Sequence, residues 1–312
     1  MEKSSSIYVA GHTGLVGSSI VRLLQKNGFT NLLLKSSSEL DLRNSNQVDS
    51  FFKENKIDYV FLAAAKVGGI LANSTLKGEF IYDNLMIQNN VIHNAYLAGV
   101  KKLLFLGSSC IYPKMATQPI SENSLLTSTL ESTNEPYAIA KIAGIKLCDA
   151  YRHQYNCNFI SVMPTNMYGP NDNYNLQTAH VLPALLRKFH EAKMKENEKV
   201  LIWGDGSAMR EFMHVDDCAE ACFHLMEHYN ESGIINIGTG NDISIKELAL
   251  TIKKITGYKG EIEFDTTKPN GTPKKLLNVK KIERIGWKHK ISLNEGLKMT
   301  YAKIEDELAL LK

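Results

Sequence analysis

Cysteine is scarce and scattered. The five cysteines, Cys110, Cys148, Cys157, Cys218 and Cys222, include no C-x-x-C pair. Their odd number and spacing fit neither a disulfide framework nor a zinc site, so no metal is expected. Cys218 and Cys222 read as small core-facing hydrophobes on one helix. Charge of one sign is lacking too: 36 Lys+Arg against 33 Asp+Glu leave a net +3. That excludes the polyelectrolyte footprint of a nucleic-acid partner and leaves room only for a local basic patch toward a phosphorylated substrate. No apolar run approaches the ~20 residues that span a bilayer, and no apolar signal region precedes the first strand. A cytoplasmic protein with no membrane partner is expected. Repeats and low-complexity linkers are absent as well. What is present is an ordinary globular composition: 312 residues, 44% hydrophobic and 22% charged, enough for one large domain or two modest ones.

The first half alternates strand and helix patterns. Strands are expected at 7–10, 31–34, 59–64, 102–106 and 159–163, and helices at 15–25, 48–54, 80–98 and 137–155. Such alternation implies parallel strands joined by right-handed crossovers, an α/β doubly wound sheet of the Rossmann type. The second half changes character, with helices at 181–195, 215–228, 245–256 and 293–310, and strands at 200–203 and 234–237. The Pro-, Gly- and Lys-rich stretch 268–275 reads as loop. The expected organisation is a dinucleotide-binding domain over 1–165, with a returning segment near 212–240. A smaller interleaved substrate domain over 166–312 completes it.

The first strand runs into Gly11-His12-Thr13-Gly14-Leu15-Val16-Gly17 and then a helix. The first glycine allows a tight turn, the second lets backbone approach a pyrophosphate, and the third lets helix and strand pack closely. The helix N-terminus then offers free N–H groups to the anion. A dinucleotide is therefore the expected cofactor. An NAD site usually carries an acidic residue at the end of the second strand. Here that strand ends Leu34-Lys35-Ser36-Ser37-Ser38, with no carboxylate before Glu39. Lys35, Ser36 and Ser37 suit a 2′-phosphate, so NADP(H) is favoured.

Tyr137 and Lys141 are spaced to share one helical face. Lys141 can hold the cofactor ribose while its charge makes the Tyr137 phenol, which ordinarily titrates near ~10, a better acid. Ser108 sits at the end of the fourth strand, in Gly107-Ser108-Ser109-Cys110, where its hydroxyl can polarise a substrate carbonyl together with Tyr137.

The glycine spacing and this Ser-Tyr-Lys set resemble the extended short-chain dehydrogenase/reductases. Further segments sharpen the resemblance: Ala63-Ala64-Ala65-Lys66-Val67-Gly68-Gly69, Gly107-Ser108-Ser109-Cys110-Ile111-Tyr112-Pro113, Asn134-Glu135-Pro136-Tyr137, Met163-Pro164-Thr165-Asn166, Tyr168-Gly169-Pro170, Trp203-Gly204, Arg210-Glu211-Phe212 and His214-Val215-Asp216-Asp217. Together they resemble the GDP-L-fucose synthase family over almost the whole chain. The resemblance implies epimerisation of GDP-4-keto-6-deoxy-D-mannose at C3 and C5, then NADPH-dependent reduction at C4, by a homodimer that pairs the 80–98 and 137–155 helices. It assigns Cys110 as base and His180 as acid. Both are useful near neutral pH, since a thiol titrates near ~8.5 and an imidazole near ~6.5. It also implies cofactor contacts from Asp41 (to adenine), Leu42, Ala63, Ala64, Leu106, Gly107, Pro164, Thr165, Asn166, Met167 and His180. Substrate contacts would come from Val67, Gly68, Ser108, Ser109, Lys188, Trp203, Arg210 and Asn270. The chain departs from the family pattern in three places: Thr13 and Ser37 stand where relatives often carry arginine, and Asn270 where they often carry Asp.

Three rival activities remain open at this stage. A 4,6-dehydratase needs an Asp-Glu pair after the strand-end hydroxyl, and Ser109-Cys110 stand there instead. A 4-epimerase that only recycles tightly held NAD would leave Cys110 and His180 idle, and another reductase of the same family stays an alternative. A non-enzymatic NADP-binding regulator would have no need of Ser108, Tyr137 and Lys141 together.

Overall fold

The structure, a computed structural model, describes residues 1–268 and 270–310; Pro269 of the Pro-rich loop lies outside them. Its strands are β1 (Ile7–Ala10), β2 (Leu32–Leu33), β3 (Tyr59–Leu62), β4 (Lys102–Leu106), β5 (Phe159–Pro164), β6 (Asn166–Tyr168), β7 (Lys199–Trp203), β8 (Met209–His214), β9 (Ile234–Ile237), β10 (Asp242–Ser244), β11 (Glu261–Asp265) and β12 (Lys274–Lys275). The helices are α1 (Leu15–Lys26), α2 (Ser45–Glu54), α3 (Ile70–Thr75), α4 (Lys77–Leu97), α5 (Glu135–Tyr155), α6 (Val181–Met194), α7 (Val215–His228), α8 (Ile245–Thr256), α9 (Lys280–Arg284) and α10 (Leu293–Leu310).

Six strands form one parallel sheet in the order β2-β1-β3-β4-β5-β9. β1, β4 and β5 are buried along their whole length, as strands covered on both faces must be. α1 packs against α7 and α4 against α5. The chain leaves β1 for β2 on one side and returns to β3 on the other. That reversal opens a crevice at the strands' C-terminal ends. The fold is thus the doubly wound Rossmann type that the alternation predicts.

Two apolar cores coexist. The larger lies around the parallel sheet and includes Met213, Val215, Ile237, Leu277 and Ile282 from the second half. The smaller joins Leu186 and Phe189 of α6, Leu248 and Ile252 of α8, and Leu297 and Ile304 of α10. β8 connects them: Phe212 belongs to the smaller core and Met213 to the larger.

Several elements escape the sequence reading: α3, β6, β8, β10, β11 and α9. The stretch 268–275, expected to be loop, contains β12, which pairs in parallel with β8. β8 is hidden in the sequence because Arg210-Glu211 interrupts its apolar pattern. Glu211 is wholly buried. Its carboxylate accepts N–H bonds from Thr239 (2.6 Å), Gly240 (2.8 Å) and Leu277 (2.9 Å), which ties two segments to β8. Glu211→Ala strands those donors in a dry site. It is expected to cost about 3 kcal/mol, read as a lowered urea midpoint; a change below about 0.5 kcal/mol would contradict this role.

Candidate active site

Gly11 adopts φ 84° and lies so close to β3 that a Cβ would stand 2.7 Å from the Ala64 nitrogen. A Cβ on Gly17 would come within 2.6 Å of the Gly11 carbonyl carbon, and closer still to its oxygen. The turn is therefore pressed between strand and helix. Gly14 caps α1 without any side-chain hydrogen bond, so the first N–H groups of the helix keep their capacity for an anion. The buried Nδ1 of His12 also has no partner among the described residues. An open cradle, uncapped donors and an orphaned polar atom fit a dinucleotide pyrophosphate. Thr13 lies exposed at the tip, while Val16 is buried beneath the turn. Ala63 and Ala64 follow β3 and line the same crevice.

β4 delivers the chemical groups. It ends at Leu106; Gly107 follows beneath Met163, and Ser108 caps a short 3-10 turn, Ser109–Ile111. The Cys110 N–H points to the Ser108 hydroxyl at 3.4 Å. Ser109 is buried under this turn. α5 brings Tyr137 and Lys141 to the same place. Burial raises the Tyr137 pKa, and the Cys110 charge adds to this; a hydrogen bond from Ser108 opposes it. The phenol is therefore a proton donor at neutral pH. Lys141 is buried, donates to the Leu106 carbonyl at 2.8 Å, and is lowered by burial to about 8. Its Nζ lies 5.8 Å from the Tyr137 ring centroid.

Cys110 is buried, and desolvation lifts its pKa; Lys275, Ser108 and Lys141 pull it back. His180 stands at the N-terminus of α6 but makes no capping bond, so its imidazole is available. Its side chain opens to solvent, and desolvation, followed by the Lys275 charge, lowers its pKa. The loop at Val67 and Gly68 packs beside it: the Gly69 N–H donates to the Thr178 carbonyl at 2.7 Å. Val67 is 58% exposed, an apolar side chain at the mouth of the cleft.

Lys275 escapes the sequence reading. It registers beside Arg210 in the β8–β12 pair and lines one small cavity with Ser109, Cys110 and Glu131. A lysine in a Pro- and Gly-rich stretch looks like a solvated loop residue. Only the pairing with β8, which leaves no periodic trace over two residues, reveals its place.

The family model described as NAD dependent epimerase/dehydratase family matches residues 7–238. The chain belongs to this family. Within the epimerase/dehydratase family it is 58% identical over 300 residues to GDP-L-fucose synthase 1 of Arabidopsis thaliana, covering 96% of this chain and 93% of the relative. It is 54% identical to GDP-L-fucose synthase of Escherichia coli (strain K12), covering 95% of each. A solved GDP-mannoheptose C4 reductase from Campylobacter jejuni, with NADP bound, superposes with a TM-score of 0.90 at 45% identity, covering 97% of this chain and 98% of that one.

The other expected contacts of an epimerase/dehydratase site are placed less uniformly. Arg210 is half-buried, bonded to the Met209 carbonyl at 2.8 Å, with burial lowering its pKa. Lys188 on α6 donates to the Leu201 carbonyl at 3.0 Å. Trp203 is 52% exposed at the end of β7, with Lys268 above its ring. Asn270 is exposed and bonds to neighbouring backbone. Its Oδ1 accepts the Asp205 N–H at 2.9 Å beneath Gly204, where a Cβ could not fit. Pro164 and Met167 flank Thr165 and Asn166 at the strand end, and the side chains of Thr165 and Asn166 both donate to the Glu211 carbonyl. Asp41 is forked by Arg43 at 3.0 and 2.9 Å, and the Leu42 carbonyl accepts from Asn90. Lys35 and Ser36 are engaged by Glu39, while the Ser37 side chain makes no hydrogen bond among the described residues.

Proposed function

We propose that this protein converts GDP-4-keto-6-deoxy-D-mannose to GDP-L-fucose by epimerisation at C3 and C5 and NADPH-dependent reduction at C4. The observation that supports this reading is Cys110 in the turn after β4, two residues from Ser108 and in one small cavity with Lys275, whose charge also acts on His180 at the start of α6. A simple reductase would have no work for that thiol and imidazole. Both C3–H and C5–H are acidified by the C4 ketone. The Cys110 thiolate takes such a proton, and the His180 imidazolium returns one to the opposite face. Ser108 and Tyr137 hydrogen-bond the C4 oxygen and stabilise the enolate between the two transfers. Bound NADPH would supply the hydride for C4. Tyr137 then protonates the C4 oxygen, Lys141 holds the ribose side of the site, and Arg210 and Lys188 offer positive charge to the diphosphate. The exposed Trp203 indole offers a flat surface for the guanine. Incubation with this GDP-sugar and NADPH, followed by product identification, tests the reading. A product still in the manno configuration at C3 and C5 would leave only a C4 reductase, the activity named for the Campylobacter jejuni relative.

Lys275 gives the chemistry a pH signature. Its charge lowers the pKa of both Cys110 and His180. Removing it in Lys275→Met lets both rise. The base is active when deprotonated and the acid when protonated, so both limbs of the exchange profile move to higher pH. The expected result is a bell displaced toward alkali, with exchange at pH 7 about tenfold lower. A uniform loss at every pH would contradict it.

A homodimer through α4 and α5 is part of this reading. Tyr82 and Leu97 on α4, and Ile139 and Tyr155 on α5, are exposed apolar side chains on adjacent helices. Light scattering is expected to give twice the 34.9 kDa chain mass; the monomer mass across a wide concentration range would contradict it.

A further inference from the structure

We infer that Glu39 is a specificity residue of the dinucleotide site, because its carboxylate occupies the donors that a ribose 2′-phosphate requires. The inference rests on reading the Gly11–Gly17 turn as that site. The residues after β2 lie past the strand beside β1, where the adenosine ribose of a dinucleotide on this turn is directed. There the Ser36 N–H donates to Glu39 Oε2 at 2.9 Å, and the Ser36 hydroxyl donates to the same oxygen at 2.7 Å. Lys35 Nζ stands 3.6 Å from Oε1. A backbone N–H, a hydroxyl and an ammonium converging on one anion form the donor set of a phosphate site. Here the chain supplies the anion itself. The Ser36 bonds, helped by Lys35, hold the Glu39 pKa below the usual carboxylate range, so it is ionised at neutral pH.

Among the described residues, the neighbourhood offers no evident substitute cation. Thr13 and Ser37 are neutral, and the Arg43 guanidinium is committed to Asp41 and reaches Asp83 at 3.4 Å. A 2′-phosphate must therefore displace Glu39 from Ser36 and Lys35, and it then carries its own negative charge beside that carboxylate. A 2′-hydroxyl makes neither demand. It can donate to Glu39, which then acts as the acidic reader found in NAD sites. Glu39 thus narrows the gap between NADPH and NADH, and the protein binds both.

Fluorescence titration with NADPH and with NADH, without sugar, tests this on the wild type, Glu39→Gln and Glu39→Ala. Glu39→Gln keeps an acceptor for Ser36 and removes the charge. Wild-type dissociation constants for the two cofactors are expected within about tenfold of each other. Both variants are expected to bind NADPH about tenfold tighter, with NADH unchanged or weaker. Thermal melts of each variant report whether the turn survives. A wild-type preference for NADPH above about 100-fold, an equal change for both cofactors, or weaker NADPH binding in Glu39→Gln would overturn the proposal. Failure of the site reading itself looks different: the wild type binds neither dinucleotide, and the Glu39 proposal goes with it.

Discussion

Cys110→Ser is expected to lower solvent-deuterium exchange at C3 and C5 of the sugar by about 10²–10⁴-fold while NADPH binding stays at the wild-type level. A serine hydroxyl is a far weaker base than a thiol at neutral pH, and the side chains are nearly isosteric. Ser108, Tyr137 and Lys141 keep their places, so the uninverted ketone is still reduced, slowly, to a sugar without the fuco configuration. Tyr137→Phe should give the complementary pattern. It removes the phenol whose proton goes to the C4 oxygen, so NADPH oxidation falls by a similar factor. Part of the exchange persists, because Cys110 and His180 remain and Ser108 still hydrogen-bonds the enolate. Exchange and NADPH oxidation measured side by side separate the two half-reactions. If Cys110→Ser exchanges at the wild-type rate, the thiol is structural and another residue is the base.

Gly17→Ala should have the other large effect. The added Cβ would collide with the Gly11 carbonyl, and neither backbone can retreat: Gly11 is pressed against Ala64, and α1 against α7. Either α1 lifts from β1 or the turn opens. Both outcomes spoil the phosphate cradle, so NADPH binding is expected to weaken more than about 100-fold, with a loss of about 2 kcal/mol or more in stability. Gly14→Ala is the internal control. A Cβ there meets only the Gly11 oxygen at 3.5 Å, an ordinary contact, so its fold should survive. Equal stability loss in both variants would mean that the close approach at Gly17 is not what fixes the turn.

The parts of the site that are legible in the sequence are those written in local spacing. Gly11, Gly14 and Gly17 follow a buried strand at fixed intervals, and Tyr137 and Lys141 sit one helical turn apart. Ser108 and Cys110 close a strand whose apolar run is unmistakable. The long helices α5, α7, α8 and α10 are legible for the same reason, since each carries a sustained apolar face. What is not legible depends on contacts distant in the chain. Lys275 meets Cys110 only because β12 pairs with β8. Asn270 serves the Gly204–Asp205 backbone rather than standing free, and that follows from a loop crossing, not from a motif. Glu39 looks, in the sequence, like a residue that comes too late to read a ribose; folded back on Ser36, it sits in the middle of that turn. The short strands β6, β10 and β12 have two or three residues each, too few for any period to emerge.

The most direct test of the central claim is one reaction run in D₂O with GDP-4-keto-6-deoxy-D-mannose and NADPH, followed by mass and proton spectra of the product. The account predicts GDP-L-fucose with solvent deuterium at C3 and C5, the NADPH hydride at C4, and one NADPH consumed per sugar. A reduced sugar without deuterium at C3 and C5, still in the manno configuration there, would contradict it.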